Sequence, residues 1–166
     1  MKYKITMVLA LFLPALHASP IYKHLVIDTG LFYNETKIGC SIDNTEVGFL
    51  KYTKAPFLSY YVLHTLYVHP EYRKQGYGTQ LLAYACDYLK ALGAQKIYVQ
   101  PGPFEIVPDG NIFKTEDVSG EKLKALVSFY QKNGFTKAHA ALMCCALMAY
   151  YCISLDEDAN YLMVKI

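Results

Sequence analysis

The chain has 166 residues, 54% of them hydrophobic and 18% charged, and a formal net charge of +2 at pH 7. This length and composition predict one globular domain with a full core, and they exclude a disordered chain. The small net charge and the lack of an RNA-binding or zinc motif exclude nucleic acid as an expected partner. The five cysteines form no Cys-x-x-Cys pair, so we expect neither a disulfide framework nor a metal site.

The N-terminal segment has the layout of a secretory signal peptide. Two early lysines precede an apolar run over residues 5–16, and the small residues Ala18 and Ser19 offer a cleavage site. The run is too short to be a convincing membrane-spanning helix. A buried first element of the domain is the alternative. We therefore expect residues 1–19 to be a signal peptide and residues 20–166 to be the folded domain.

The next part of the chain is predicted to contain strands and little helix. Ile21–Asp28 has the apolar and β-branched character of a strand. Residues 37–42 and 47–53 are predicted to form a hairpin, with residues 43–46 as its turn. Little chain remains here in which a helix could form.

A further strand is predicted to lead into an amphipathic helix. Tyr61–Val68 is rich in β-branched and aromatic residues, and Pro70 ends the strand because proline lacks the N–H that a ladder needs. After Gly78 the apolar residues recur at helical spacing, at Leu81, Leu82, Ala85, Leu89 and Leu92.

The loop between this strand and this helix predicts an anion site. The amides and the dipole of a helix N-terminus both favour negative charge. Gly76 and Gly78 let a ligand approach the backbone, and Arg73 and Lys74 supply charge that pairs with phosphate. The loop has neither the Gly-Lys-Ser/Thr of a Walker site nor the third glycine of a dinucleotide site.

The order of residues around this loop resembles the coenzyme A loop of the GNAT acetyltransferase superfamily. The matching positions are Leu66, Val68, Pro70, Arg73, Gly76, Gly78 and Leu82. The resemblance implies that acetyl-CoA is the co-substrate and that its pyrophosphate binds at the loop and the helix start. The residues that it assigns to the coenzyme are Leu66, Tyr67, Val68, Arg73, Lys74, Gln75, Gly76, Tyr77, Gly78 and Thr79.

The same resemblance implies an α/β fold, the GNAT fold, in which helices flank a central mixed, mostly antiparallel sheet. Because the chain between the first strands is short, we expect the N-terminal helices of that fold to be reduced. Gly93 is typical of a helix end, and Lys96–Gln100 is predicted to be a short strand that returns in parallel. Residues 104–118 have the character of an inserted loop with a turn near Asp109.

A second helix is predicted to begin at Ser119, which can cap it. Its apolar stripe consists of Leu123, Leu126, Val127 and Tyr130. Periodicity alone favours a core position for Tyr130. However, Tyr130 followed by Gly134 and Phe135 resembles the second GNAT signature. This resemblance implies that Tyr130 lies near the thioester sulfur and protonates the leaving thiolate.

Residues 138–155 are apolar almost throughout and rich in alanine, which predicts an extra apolar helix near the C-terminus. A buried helix is the simplest interpretation. An apolar wall beside the acceptor site or a homodimer contact is the alternative, and a membrane contact is not favoured because the segment is short for a span. Residues 161–166 resemble the closing strand of the GNAT fold.

The resemblance implies an acetyl-CoA-dependent N-acetyltransferase whose acceptor is a primary amine of a small molecule or a protein. In this family the strand before the loop, here Leu66–Val68, supplies the backbone N–H that faces the thioester oxygen. A base must also take a proton from the amine. We assign this role to His64, because its ordinary pKa near 6.5 suits proton acceptance at neutral pH. A hydrogen-bonded strand histidine is the alternative.

Two other functions stay open. Gln100 and Pro101 stand where the family often has an asparagine, which motivates a coenzyme A-binding module without catalysis. The signal-like N-terminus motivates an exported interaction protein. Two localisations also stay open. The N-terminus predicts export, whereas dependence on acetyl-CoA predicts the cytoplasm.

Overall fold

The computed structural model describes residues 19–28, 34–55, 58–102, 104–106, 112–114, 120–138 and 163–166. The elements are β1 (Ile21–Asp28), β2 (Asn34–Ile42), β3 (Thr45–Lys54), β4 (Tyr60–Val68), a 3-10 turn (Pro70–Tyr72), α1 (Tyr77–Ala91), β5 (Lys96–Val99), β6 (Phe104–Ile106), β7 (Ile112–Lys114), α2 (Gly120–Lys132), β8 (Thr136–Lys137) and β9 (Met163–Lys165). The predicted signal peptide, the predicted cap Ser119 and the predicted apolar helix lie outside the described residues, apart from boundary residues 19 and 138.

One sheet organises the described part of the chain. Its seven strands run in the order β1-β2-β3-β4-β5-β9-β8. The β4–β5 pair is parallel, and the other neighbouring pairs are antiparallel. The predicted mixed, mostly antiparallel sheet with a parallel crossover is therefore confirmed. Residues 29–33 alone connect β1 to β2, so the N-terminal helices are reduced as expected.

The β2–β3 hairpin closes in two residues rather than four. Asp43 and Asn44 have φ angles of 48° and 65°. This left-handed conformation at both central positions is what the tight hairpin turn needs, and Asp and Asn tolerate it better than most residues. Thr45 and Glu46 therefore belong to β3, and the predicted turn over residues 43–46 is too long.

The predicted inserted loop over residues 104–118 is wrong in part, because it contains the two-stranded sheet β6–β7. The strands pair antiparallel, and the turn that the sequence predicts near Asp109 lies between them in the chain, outside the described residues. A turn signal flanked by short apolar runs on both sides is a hairpin pattern, which the loop prediction does not include.

Helix α1 is fixed to the sheet by its apolar face. The buried residues of this face are Leu81, Leu82, Ala85, Cys86 and Leu89. They belong to the same core as Ile38, Leu50 and Leu63 of the central strands. Because full burial of a leucine contributes about 1.5–3 kcal/mol, this face holds the helix firmly. Within the part of the chain that the structure describes, no helix has the length and apolar character needed to cross a membrane.

The end of α1 differs slightly from the sequence prediction. Leu92 was expected on the apolar stripe, but it lies just past the helix and is 50% exposed. Gly93 has a φ of +85° and ends the helix in the left-handed conformation that glycine adopts at little cost. The predicted role of Gly93 is confirmed.

Candidate functional site

Strand β4 extends past β5 at its carboxyl end. All of β5, Lys96–Val99, pairs with Tyr60–Leu63. Strand β4 continues beside β3 as far as Val68, which pairs with Gly48. The segment Leu66–Val68 therefore has β3 on one side, and β5 does not pair with it on the other.

A β-bulge at His64 directly follows Leu63, the last residue of β4 that pairs with β5. Lys51 pairs with Thr65 while Tyr52 pairs with Leu63, so His64 is the extra residue in β4. A bulge bends its strand and increases the local twist. It therefore changes the direction of β4 where its pairing with β5 ends.

The peptide groups of this open segment point alternately to the two sides of the strand. The hydrogen bonds show which side each group faces. The N–H of His69 donates to the carbonyl oxygen of Val47 at 3.0 Å, so His69 and Tyr67 direct their peptide groups towards β3. Leu66 and Val68 direct theirs to the open side. Consistently, Nε of Arg73 donates to the carbonyl oxygen of Val68 at 2.9 Å.

A cavity of about 660 Å³ lies against this open segment. It is lined by Leu66, Tyr67, Val68, Tyr72, Arg73, Lys74, Gly76, Gly78, Thr79, Gly102, Lys122, Ala125, Leu126 and Phe129. Most residues that the sequence assigned to the coenzyme thus lie on one cavity. The exceptions are Gln75, whose Nε2 donates to the carbonyl oxygen of Glu71 at 2.8 Å, and Tyr77, whose ring packs edge-on against Tyr72.

The first turn of α1 reaches the cavity without a side-chain cap. Its N-cap is Gly76, with a φ of +90°, and no side chain caps the helix. The first internal bond joins the N–H of Gln80 to the carbonyl oxygen of Gly76 at 3.0 Å. The N–H groups of the first turn therefore lack intrahelical acceptors, and they form a donor site for an anion.

The loop before α1 carries a strained cationic residue. Lys74 has a φ of 62°, a left-handed conformation that costs a residue with a side chain about 1 kcal/mol. Arg73 is held in place, because its guanidinium lies 5.7 Å from the centre of the Tyr67 ring as well as donating to Val68. The described cavity lining contains the cations Arg73, Lys74 and Lys122 and no carboxylate.

His64 lies beside the cavity, at the bulge, and does not line it. Its Nε2 is 2.7 Å from Oγ1 of Thr53, which is buried. Although His64 is an exposed residue, partial withdrawal of its ring from water lowers its pKa; the nearby Glu35 opposes this shift and Lys51 adds to it. The imidazole is therefore neutral at pH 7.

Tyr130 lies in the core behind the cavity wall. It is 6% exposed, and its ring packs edge-on against Phe129 and Phe135 at centroid distances of 5.2 Å and 5.5 Å. Burial, and secondarily the neighbouring Cys86, raise the pKa of the Tyr130 phenol far above its ordinary value. Its neighbour Phe129 lines the cavity, so the proximity of Tyr130 to the sulfur stays a prediction.

One wall of the cavity comes from a helix face that the sequence interpretation missed. This face of α2 carries Lys122, Ala125, Leu126 and Phe129. Their spacing of i, i+3, i+4 and i+7 is itself a helical stripe. It shares Leu126 with the predicted stripe of Leu123, Leu126, Val127 and Tyr130 and otherwise lies beside it. Among the described residues, no group of three or more His, Cys, Asp or Glu side chains could hold a metal ion.

Comparison with known proteins gives one family match over much of the chain. The sequence profile of the acetyltransferase (GNAT) family matches residues 11–105. No curated protein matches the chain significantly.

Several solved structures match this chain at low sequence identity, and those with a TM-score above 0.5 share its fold. An acetyltransferase of the GNAT family from Staphylococcus aureus Mu50 has a TM-score of 0.54 and 14% identity, over 79% of this chain and 66% of that one. N-acetylglutamate synthase from Neisseria gonorrhoeae, complexed with coenzyme A and N-acetyl-glutamate, has a TM-score of 0.53 and 16% identity, over 78% and 25%. PaiA N-acetyltransferase from Thermoplasma acidophilum, in complex with coenzyme A, has a TM-score of 0.49 and 21% identity, over 79% and 60%. The chain thus spans less than two thirds of the length of each structure.

Proposed function

This chain belongs to the acetyltransferase (GNAT) family, and on that premise we propose that it transfers the acetyl group of acetyl-CoA to a primary amine of a small molecule or a protein. One observation carries the proposal: an uncapped helix N-terminus, a cationic loop and the open edge of β4 meet in one cavity. These parts suit two adjoining portions of the coenzyme, an anionic pyrophosphate and a neutral arm that contains amides.

The pyrophosphate is held by the first turn of α1. The N–H groups of this turn and the helix dipole provide the donors, and Gly78 keeps the wall open. Arg73 and Lys74 add positive charge beside these donors. The backbone of Leu66 and Val68 bonds the amides of the arm as a further strand would.

The transfer step forms a bond from the amine nitrogen to the carbonyl carbon and breaks the bond from that carbon to sulfur. Negative charge develops on the carbonyl oxygen during the attack, and an N–H fixed in its direction stabilises that charge. We assign this role to the N–H groups on the open side of β4. Strand β3 holds this segment in place through its hydrogen bonds, so little reorganisation is needed.

His64 takes the proton from the attacking amine in this proposal. Its lowered pKa keeps the imidazole neutral at pH 7, the state that can accept a proton. Its place at the bulge, two residues before Leu66, puts it near the strand segment that faces the thioester.

Tyr130 donates the proton that the departing thiolate needs. Its raised pKa keeps the phenol protonated at neutral pH. The support for this role is the sequence signature. Phe129, the preceding residue, lines the cavity, and its ring contacts the Tyr130 ring.

Gly78 offers a matched pair of variants that test the coenzyme site. A Cβ at this position would lie 3.6 Å from Cγ2 of Val68, an ordinary contact, so Gly78→Ala should fold with the site intact. Gly78→Glu instead places a carboxylate where the pyrophosphate binds. We expect Gly78→Ala to keep its affinity for acetyl-CoA within a few-fold and Gly78→Glu to lose binding, as measured by calorimetry.

The same variants test catalysis. Wild type and Gly78→Ala should release free thiol from acetyl-CoA when a primary amine from a panel of small amines and peptides is supplied. Gly78→Glu should not. The coenzyme site is contradicted if folded Gly78→Glu binds acetyl-CoA as tightly as wild type.

A second candidate function is a coenzyme A-binding module that does not catalyse transfer. The observation in its favour is the position of Tyr130, whose ring is packed in the core and does not line the cavity. Coenzyme binding without thiol release across the whole amine panel would establish this second candidate in place of the first.

A further inference from the structure

The cations of the cavity come from two different walls. Arg73 and Lys74 belong to the loop before α1, whereas Lys122 belongs to α2. Among the described residues, Arg73 bonds to the Val68 carbonyl, while no ion pair involves Lys122. Lys122 is therefore available to bind a second anionic group of the ligand, distinct from the anionic group that binds at the N-terminus of α1.

The direction of α2 tells where Lys122 lies. Its C-terminal end meets the start of β5, because Nζ of Lys165 donates to the carbonyl oxygen of Asn133 at 2.8 Å and Lys165 pairs with Ile97. The helix therefore begins on the opposite side, beyond the carboxyl ends of β4 and β5. Lys122, in the first turn of α2, lies on this outer side.

The distance from the pyrophosphate site follows from helix geometry. The Phe129 ring comes within 3.9 Å of a Cβ placed on Gly78, so Phe129 is level with the first turn of α1. Lys122 precedes it by seven residues, which is about 10 Å along a helix. Ala125 and Leu126 fill the interval, so this wall is apolar between its two ends.

The chemistry of coenzyme A fits this layout in one orientation. Its neutral arm extends from the pyrophosphate towards the open edge of β4, where backbone N–H and C=O groups suit its amides. Its other end carries a ribose 3′-phosphate, a monoester with about −1.5 to −2 charge at pH 7. This end points outward, towards the side on which Lys122 lies.

We infer that Lys122 binds the 3′-phosphate of coenzyme A and makes the protein select coenzyme A over 3′-dephospho-coenzyme A. The inference rests on the proposed coenzyme site. It adds a specificity-determining residue on α2 to the loop residues that bind the pyrophosphate.

Lys122→Gln and Lys124→Gln form a matched pair for the test. Both residues are exposed lysines on α2, but only Lys122 lines the cavity. Calorimetry with coenzyme A and with 3′-dephospho-coenzyme A gives four affinities, and circular dichroism checks that each variant is folded. Since exposed ion pairs are individually weak, we expect wild type to prefer coenzyme A by about two- to fivefold at low salt.

The expected result is that Lys122→Gln removes this preference and leaves the affinity for 3′-dephospho-coenzyme A unchanged, while Lys124→Gln keeps the preference. The inference is overturned if wild type binds both ligands equally, or if Lys122→Gln weakens both by the same factor. Either outcome leaves the coenzyme site standing. Failure of folded wild type to bind either ligand would overturn the proposed function together with this inference.

Discussion

Gly76 and Gly78 serve different physical needs, although the sequence shows them as a simple repeat. Gly76 has a φ of +90° at the N-cap of α1, so any side chain there strains the backbone. Gly78 is helical, and a Cβ there would meet only ordinary contacts. Substitution of Gly78 therefore tests the cavity alone, whereas substitution of Gly76 also disturbs the turn.

Tyr130→Phe deletes the hydroxyl and keeps the ring that packs against Phe129 and Phe135. If the hydroxyl protonates the leaving thiolate, kcat should fall while the KM for acetyl-CoA stays nearly constant. General acid catalysis contributes about 10²–10⁴-fold, but a thiol leaves fairly well unaided, so we expect roughly a ten- to hundredfold loss. Steady-state thiol release measures both parameters.

An unchanged kcat in this variant, with the chemical step shown to limit turnover, would assign Tyr130 to the core alone. The sequence could not decide between these roles, because α2 carries two stripes. Tyr130 lies on the buried stripe, and Phe129, one position earlier, lies on the stripe that lines the cavity.

At the scale of elements, His64 lies at the bulge in β4, and its lowered pKa predicts how kcat depends on pH. The lowered pKa of His64 predicts that kcat, at saturating amine, falls only when the pH drops below the ordinary histidine value of about 6.5. Protonated imidazole cannot accept the amine proton. His64→Gln should remove this acidic limb and lower kcat by about a hundredfold.

His69→Gln is the matched control, because His69 follows the same strand and its ring contacts Tyr67 at a centroid distance of 5.1 Å. It should keep the acidic limb and most of the activity. Persistence of the limb in His64→Gln would mean that another group is the base.

Local sequence patterns predicted the helices and strands better than the register and packing between them. Ile21–Asp28 and Gly93 were predicted correctly, because β-propensity and left-handed glycine are local properties. The bulge at His64 depends on register with β3, which no residue in β4 encodes alone. The contribution of Lys122 and Phe129 to the cavity depends on how α2 packs, so it too was missed.

At the scale of the whole molecule, the many tyrosines couple stability to alkaline pH. Burial raises the pKa of several described tyrosines, namely Tyr22, Tyr52, Tyr61, Tyr98 and Tyr130. A group whose pKa is raised by folding ionises first in the unfolded chain. Its contribution to stability is therefore fully present below about pH 10 and is lost as the pH rises above that value.

Tyr130 should make a large contribution to this alkaline loss, since it is among the buried tyrosines. We expect the free energy of unfolding of Tyr130→Phe to decline less steeply above about pH 10 than that of wild type. The difference in slope has an upper limit of about 1.4 kcal/mol per pH unit, the value for one proton.

Urea unfolding at several alkaline pH values measures the two slopes, and ultraviolet absorbance of tyrosinate follows ionisation in the same samples. Identical slopes for Tyr130→Phe and wild type would mean that Tyr130 ionises at the same pH in the folded and unfolded chains.

The open edge of β4 has an evolutionary consequence. It offers a ligand the peptide groups of Leu66 and Val68, atoms that every amino acid except proline possesses in full. Mutation can therefore exchange the side chains at these positions and leave the contact intact, as long as the strand survives. Chains that share 14% and 16% of their residues with this one still have a similar fold. A contact of this kind depends on the path of the backbone along the unpaired edge of β4 rather than on residue identity.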